Sequence, residues 1–175
     1  VAILLAAALG CSTAVRVGPD HAAPPGQPAF DVPTPDELTP MTLDAALTKA
    51  SAAPGDTVAV KVGVRLLPGW HTYALVPPEE PYVQTRWTLE PGAGLTPSGD
   101  WIAPPPVEDA ANPRLKLYES TPEPLLFLHP LQVADTASGE ASVRVSVLFQ
   151  VCDMSRCLPP EEKTFDLKLK IAANK

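Results

Sequence analysis

The chain has 175 residues, 45% hydrophobic and 19% charged, a composition that suits one domain with a real core and some tail. Its formal net charge is −7, which argues against nucleic acid as a partner, because phosphate binding needs a basic footprint. Three cysteines stand against 23 prolines, so the cysteines are few enough to be read one by one.

The opening run VAILLAAAL is too short to span a bilayer, which takes about 20 apolar residues, and it reads as the apolar stretch of a secretory signal. The tetrad Ala8-Leu9-Gly10-Cys11 follows and is similar to a bacterial lipobox, with Ala at the position where Leu is usual. Cys11 is therefore the lipidation candidate, the alternative being ordinary cleavage nearby. Either way the expected address is extracytoplasmic, as a membrane-anchored lipoprotein or a secreted protein, in a compartment where disulfides persist. Residues 1–11 are expected to be signal and lipobox, and residues 12–40 a Pro-rich linker. Prolines crowd that linker too closely for a regular helix or a central strand, so it is expected to act as an extended spacer. The domain proper is expected over residues 41–175.

MTLDAALTKASA, at the start of that domain, is compatible with a helical turn or an early strand. From Thr57 the pattern is β. TVAVKVGVRL sets Val58, Val60, Val62, Val64 and Leu66 on one face at period two, after a turn at Pro54-Gly55-Asp56. VQTRWTL sets Val83, Thr85, Trp87 and Leu89 on one face. LLFLHPLQV is nearly continuously apolar, the pattern of a strand buried on both faces. SVRVSVLFQVC buries alternate residues from Val143 to Val151, and KTFDLKLKI buries Phe165, Leu167, Leu169 and Ile171. No helical period is evident after residue 55. Short strands with Pro and Gly breaks predict an all-β sandwich or barrel.

Between the last two strands lies CDMSRC, with Cys152 and Cys157 placed to face each other across a short hairpin loop. Facing strands bring Cα atoms within the span a disulfide tolerates. By parity Cys152 belongs with Arg144, Ser146 and Gln150, off the main core. A metal clip needs more ligands than this pair, and His21, His71 and His129 are scattered, so no metal and no cofactor is expected. A structural staple is the default in secreted domains. A loop this short, however, gains little chain entropy, and an exposed hairpin disulfide suits opening and closing. The residues alone leave staple and redox pair level.

FQVCDMSRCLPPEEKTFDLKL resembles the N-terminal domain of DsbD, the bacterial thiol:disulfide interchange protein: strand, Cys, polar loop, Cys-x-Pro-Pro-Glu, strand. LLPGWHTYALVPPEEPYVQTRWTLEPG and LKLYESTPEPLLFLHPLQV are similar to that family in order and spacing. The likeness runs over roughly residues 50 to 172. It implies an immunoglobulin-like β-sandwich in the periplasm. It implies thiol:disulfide exchange through Cys152 and Cys157, with electrons arriving from a thioredoxin-like domain. They would leave to periplasmic redox partners, such as disulfide isomerases or the thioredoxins of cytochrome c maturation. Cys157 takes the position of the cysteine that forms mixed disulfides and Cys152 that of the resolving cysteine. The family's shielding cap falls near Leu115 to Tyr118, which makes Leu117 and Tyr118 cap candidates. Arg156, beside Cys157, is a candidate for favouring the thiolate, the alternative being a solvated loop charge. Glu108, Asp109 and Glu119 flank the cap and receive no role. The rival to this reading is a lipid-anchored binding or adhesion sandwich whose disulfide is permanent.

Overall fold

The computed structural model describes residues 30–173. The expected signal, the Cys11 tetrad and most of the expected linker lie outside the described residues. In chain order the strands are β1 (Met41–Leu47), β2 (Ser51–Ala52), β3 (Thr57–Leu66), β4 (His71–Leu75), β5 (Arg86–Pro91) and β6 (Leu95–Pro97). Then come β7 (Val107–Glu108), β8 (Lys116–Glu119), β9 (Leu125–Val133), β10 (Gly139–Phe149), β11 (Val151–Cys152) and β12 (Glu161–Ile171). No helix occurs among the described residues.

The strands form three sheets, ordered β1-β3-β9-β6, β2-β12-β10-β5 and β11-β4-β8-β7. Every strand pairing is antiparallel except β2 with β12. The first two sheets bury their alternating faces against each other in one core. Val60 and Val62 of β3 meet Val145 and Val147 of β10 and Leu169 of β12 there, all fully excluded from solvent. Each such side chain contributes about 1.5–3 kcal/mol by leaving water. The molecule is an all-β, immunoglobulin-like sandwich, with the third sheet set at one end.

The segment left open between helix and strand supplies both β1 and β2, which enter different sheets. The strand expected over 83–89 is shifted to Arg86–Pro91, with Trp87 and Leu89 still turned inward. LLFLHPLQV was expected to be buried on both faces and is not. Phe127, His129, Leu131 and Val133 are buried, whereas Leu126 is 46% exposed. The sheet is antiparallel, and only its inner face packs against a second sheet.

Residues ahead of Met41 also pack on β1 and β3. Val32 is buried, the N–H of Asp31 donates to the Asp44 carboxylate at 2.9 Å, and the Lys61 ammonium lies 3.7 Å from the Phe30 ring centroid. Gly63 makes room for this segment on the outer face of β3, since a Cβ there would collide with Val32 and Phe30.

Candidate functional site

The site begins where one strand changes sheets. β10 stays in register with β12 as far as Phe149, opposite Glu161. At Gln150 the chain leaves that sheet, and Val151 and Cys152 pair instead with Thr72 and His71 of β4. Gln150 holds the joint with three contacts. Its side-chain oxygen accepts the Val83 N–H at 3.0 Å, its amide donates to the Leu158 carbonyl at 3.3 Å, and its backbone carbonyl accepts the Thr72 hydroxyl at 2.8 Å. Beyond the joint, the Leu158 N–H donates to Val151 O and the Asp153 N–H to Arg156 O, both at 2.9 Å. Two residues of the first strand therefore span three of the second between here and β12. The extra residue falls at Pro159-Pro160, which have no ladder donor to lose.

Cys152 and Cys157 face each other in this ribbon as a disulfide with Cα atoms 4.0 Å apart. The hydrogen-bonded pairs on either side make theirs the narrow, non-hydrogen-bonded kind of antiparallel pair. The two cysteines differ in environment. Cys152 is 1% exposed and packs with Tyr73, Leu115 and Leu117 in a small cluster separate from the main core. Cys157 is exposed at the tip. Parity did place Cys152 off the main core, but gave no sign that a second apolar cluster would enclose it.

Asp153 orders the tip. One of its carboxylate oxygens accepts the Ser155 N–H at 2.7 Å, and the Ser155 hydroxyl and Arg156 N–H at 2.8 Å each. These donors, led by the Ser155 N–H, stabilise the carboxylate and hold its pKa below the ordinary carboxylate range. The Arg156 guanidinium lies 5.6 Å over the Trp70 ring and 3.8 Å from Asp153. Its defined neighbours are thus that ring and that carboxylate. Met154, 98% exposed, caps the turn.

The two cap candidates turn opposite ways. Leu117 lies in the Cys152 cluster. Tyr118 joins the main core, edge-on to Phe127 at 5.1 Å, so it does not shield the disulfide; consecutive strand residues point to opposite faces. The rings beside the disulfide are Tyr73 and Tyr82, stacked at 4.7 Å. Burial pushes the Tyr73 phenol far up, which keeps it protonated at any working pH.

A cleft of ≈ 460 Å³ opens beside the pair, walled by His71, Tyr73, Tyr82, Asp109 and Asn112. The loop carrying Asp109 is braced. The Asp109 carboxylate accepts the N–H groups of Ala111 and Asn112, the Asn112 amide donates to Glu80 at 2.7 Å, and Arg114 pairs with Glu79. A second cleft of ≈ 600 Å³ lies on the other side of the tip, between Trp70, His71, Glu119 and Met154. His71 borders both clefts. Burial lowers its pKa, and Asp109, Glu119 and Asp153 oppose that shift. No group of three His, Cys, Asp or Glu suited to hold a metal occurs among the described residues.

The family described as "Thiol:disulfide interchange protein DsbD, N-terminal" matches residues 38–169. No curated protein matches the chain. Among solved structures, the N-terminal periplasmic domain of ScsB from Proteus mirabilis is similar at 18% identity and a TM-score of 0.43. The match covers 73% of this chain and 45% of that one, so the chain spans less than half of that relative's length. The reduced DsbD N-terminal domain of Neisseria meningitidis shares 20% identity over 72% of this chain and 82% of its own, at a TM-score of 0.39. The GAE domain of GGA2p from Saccharomyces cerevisiae reaches 0.42 at 8% identity, over 79% and 97%. The family match, over residues 38–169, carries the assignment.

Proposed function

The chain belongs to the DsbD N-terminal family, and from that premise we propose that it is a periplasmic thiol:disulfide exchange module whose working pair is Cys152 and Cys157. The observation that carries the reading is the unequal burial of the two sulfur-bearing residues. An exchange protein needs one cysteine that a partner can reach and one that waits. In the reduced state the Cys157 thiolate attacks a partner's disulfide, forming a mixed disulfide and freeing one partner thiolate. The Cys152 thiolate then attacks the Cys157 sulfur, restores the internal disulfide and releases the second partner thiolate. Two electrons pass to the partner, and a thioredoxin-like domain restores them by the reverse steps. Periplasmic disulfide isomerases and the thioredoxins of cytochrome c maturation are the receiving class.

Redox titration of the domain, read by thiol alkylation and mass spectrometry, tests this. Exchange requires a potential above about −300 mV and ready reduction by a thioredoxin-like dithiol. A lower potential makes the disulfide a permanent staple and the protein a binding or adhesion sandwich. Cys11 completes the proposal as a lipid anchor, with the Pro-rich linker expected over residues 12–40 as the tether that follows it. Mass spectrometry of the mature N-terminus is expected to find diacylglycerol on Cys11, and an unmodified thiol there removes the anchor.

A further inference from the structure

We propose that His71 and Glu119 form a proton path for the buried Cys152, a role that rests on the exchange function above. The sheet order β11-β4-β8 puts three residues in one row: Cys152 opposite His71, and His71 opposite Glu119. Directly opposed residues of antiparallel strands share a face, with Cβ atoms about 4.5–5.5 Å apart. Their neighbours confirm which face it is. Tyr73 and Leu117 on this side pack with Cys152, while Val151 and Tyr118 on the other enter the main core.

Along the row, burial falls from enclosed Cys152 through half-buried His71 to exposed Glu119. Cys157 exchanges its proton with water directly, but Cys152 is shut away. Burial disfavours its thiolate, yet resolution of a mixed disulfide requires that thiolate. A neutral imidazole beside it is a suitable acceptor. The groups facing His71 are the Tyr73 hydroxyl, 3.3 Å from Nε2, and the carboxylates of Asp109, Glu119 and Asp153. All three carboxylates favour the imidazolium, whereas burial favours neutral imidazole. Glu119 is the carboxylate in register with the imidazole, and it stands at the solvent end.

In the mixed disulfide, His71 takes the proton from the Cys152 thiol. The Cys152 sulfur attacks the Cys157 sulfur, the bond to the partner breaks, and the partner sulfur leaves with the electron pair. Cys152 and Cys157 are thereby oxidised to the disulfide and the partner is reduced. The proton on His71 passes by Glu119 to water, or to the departing thiolate.

The test uses the dithiothreitol-reduced domain and the aromatic disulfide 5,5′-dithiobis(2-nitrobenzoate), followed by stopped flow across pH. Attack by Cys157 releases one aromatic thiolate, and resolution by Cys152 releases the second. His71→Gln is expected to leave the first phase unchanged and to slow the second by about 100-fold or more near neutral pH. The second phase should return toward the wild-type rate in alkali, where Cys152 ionises unaided. Glu119→Gln, at an exposed position, removes a charge that raises the His71 pKa. Neutral imidazole then persists to lower pH, and the acid limb of the second phase moves down. A second phase unchanged in both variants, or slowed by His71→Gln equally at every pH, overturns the proton path while leaving exchange intact. A wild-type disulfide that dithiothreitol cannot open overturns both.

Discussion

Replacing Cys152 by alanine is expected to convert the domain into a covalent trap, whereas replacing Cys157 by serine abolishes complex formation. The reason is the division of labour set by burial. Cys157 stands at an exposed tip, and Cys152 is enclosed by Tyr73, Leu115 and Leu117. A partner sulfur can reach the first and not the second. With Cys152 absent, attack by Cys157 proceeds but resolution cannot, so mixed disulfides accumulate toward one per domain. With Cys157 absent, Cys152 has no access and no complex forms. Alanine serves better than serine at position 152, because a hydroxyl left without a partner in that apolar cluster would cost about 1–3 kcal/mol. Non-reducing electrophoresis of each reduced variant reads the result, the partner being a thioredoxin-like domain with its second cysteine replaced and its remaining one activated as an aromatic disulfide, so that no freed partner thiol can reverse the attack. Trapping by the Cys157→Ser variant through Cys152 would reverse the assigned roles. Trapping by neither would remove the exchange function.

The parts of this site visible in the sequence are those carried by local pattern. Period-two valines mark β3 and β10, and the spacing in CDMSRC marks a tip that brings two sulfurs together. Parity even takes Cys152 out of the main core. The row of Cys152, His71 and Glu119 is invisible at that level, since its members are far apart in the chain. They meet only because Gln150 passes the strand from one sheet to another. No periodicity announces such a switch, although a polar residue inside an apolar strand was its trace. The cap shows the same limit from another side. LKLY contains both candidates, but which of Leu117 and Tyr118 faces the disulfide depends on the register of β8 against β4. Tyr73 and Tyr82, on two separate segments, wall the same cleft, a meeting that no local pattern announces. In LLFLHPLQV the missing information was equally non-local: composition does not tell how many layers will cover a strand.

Phe127→Ala is expected to cost about 3–5 kcal/mol of stability, the range for emptying a buried aromatic site. Phe127 is 1% exposed and lies on β9 of the first sheet. Its ring is 4.3 Å from Trp87, which belongs to the second sheet, and 5.1 Å from Tyr118, which belongs to the third. One side chain therefore touches an aromatic anchor from each of the other two sheets. Tyr118 is flanked on β8 by Leu117, which packs with Cys152, and by Glu119, which faces His71. Loss of the Phe127 ring should let β8 shift on the sandwich, loosening the cover over Cys152. Leu169→Ala supplies the comparison. That residue is fully buried in the same core but lies on β12, away from the third sheet, and its loss is expected to cost about 2–5 kcal/mol. Urea unfolding should therefore find both variants destabilised. Dithiothreitol reduction, measured well below either unfolding transition, should be faster for Phe127→Ala and unchanged for Leu169→Ala. Equal reduction rates in the two variants would mean that the disulfide's shelter is independent of the core, and that β8 holds its place by its strand pairing alone.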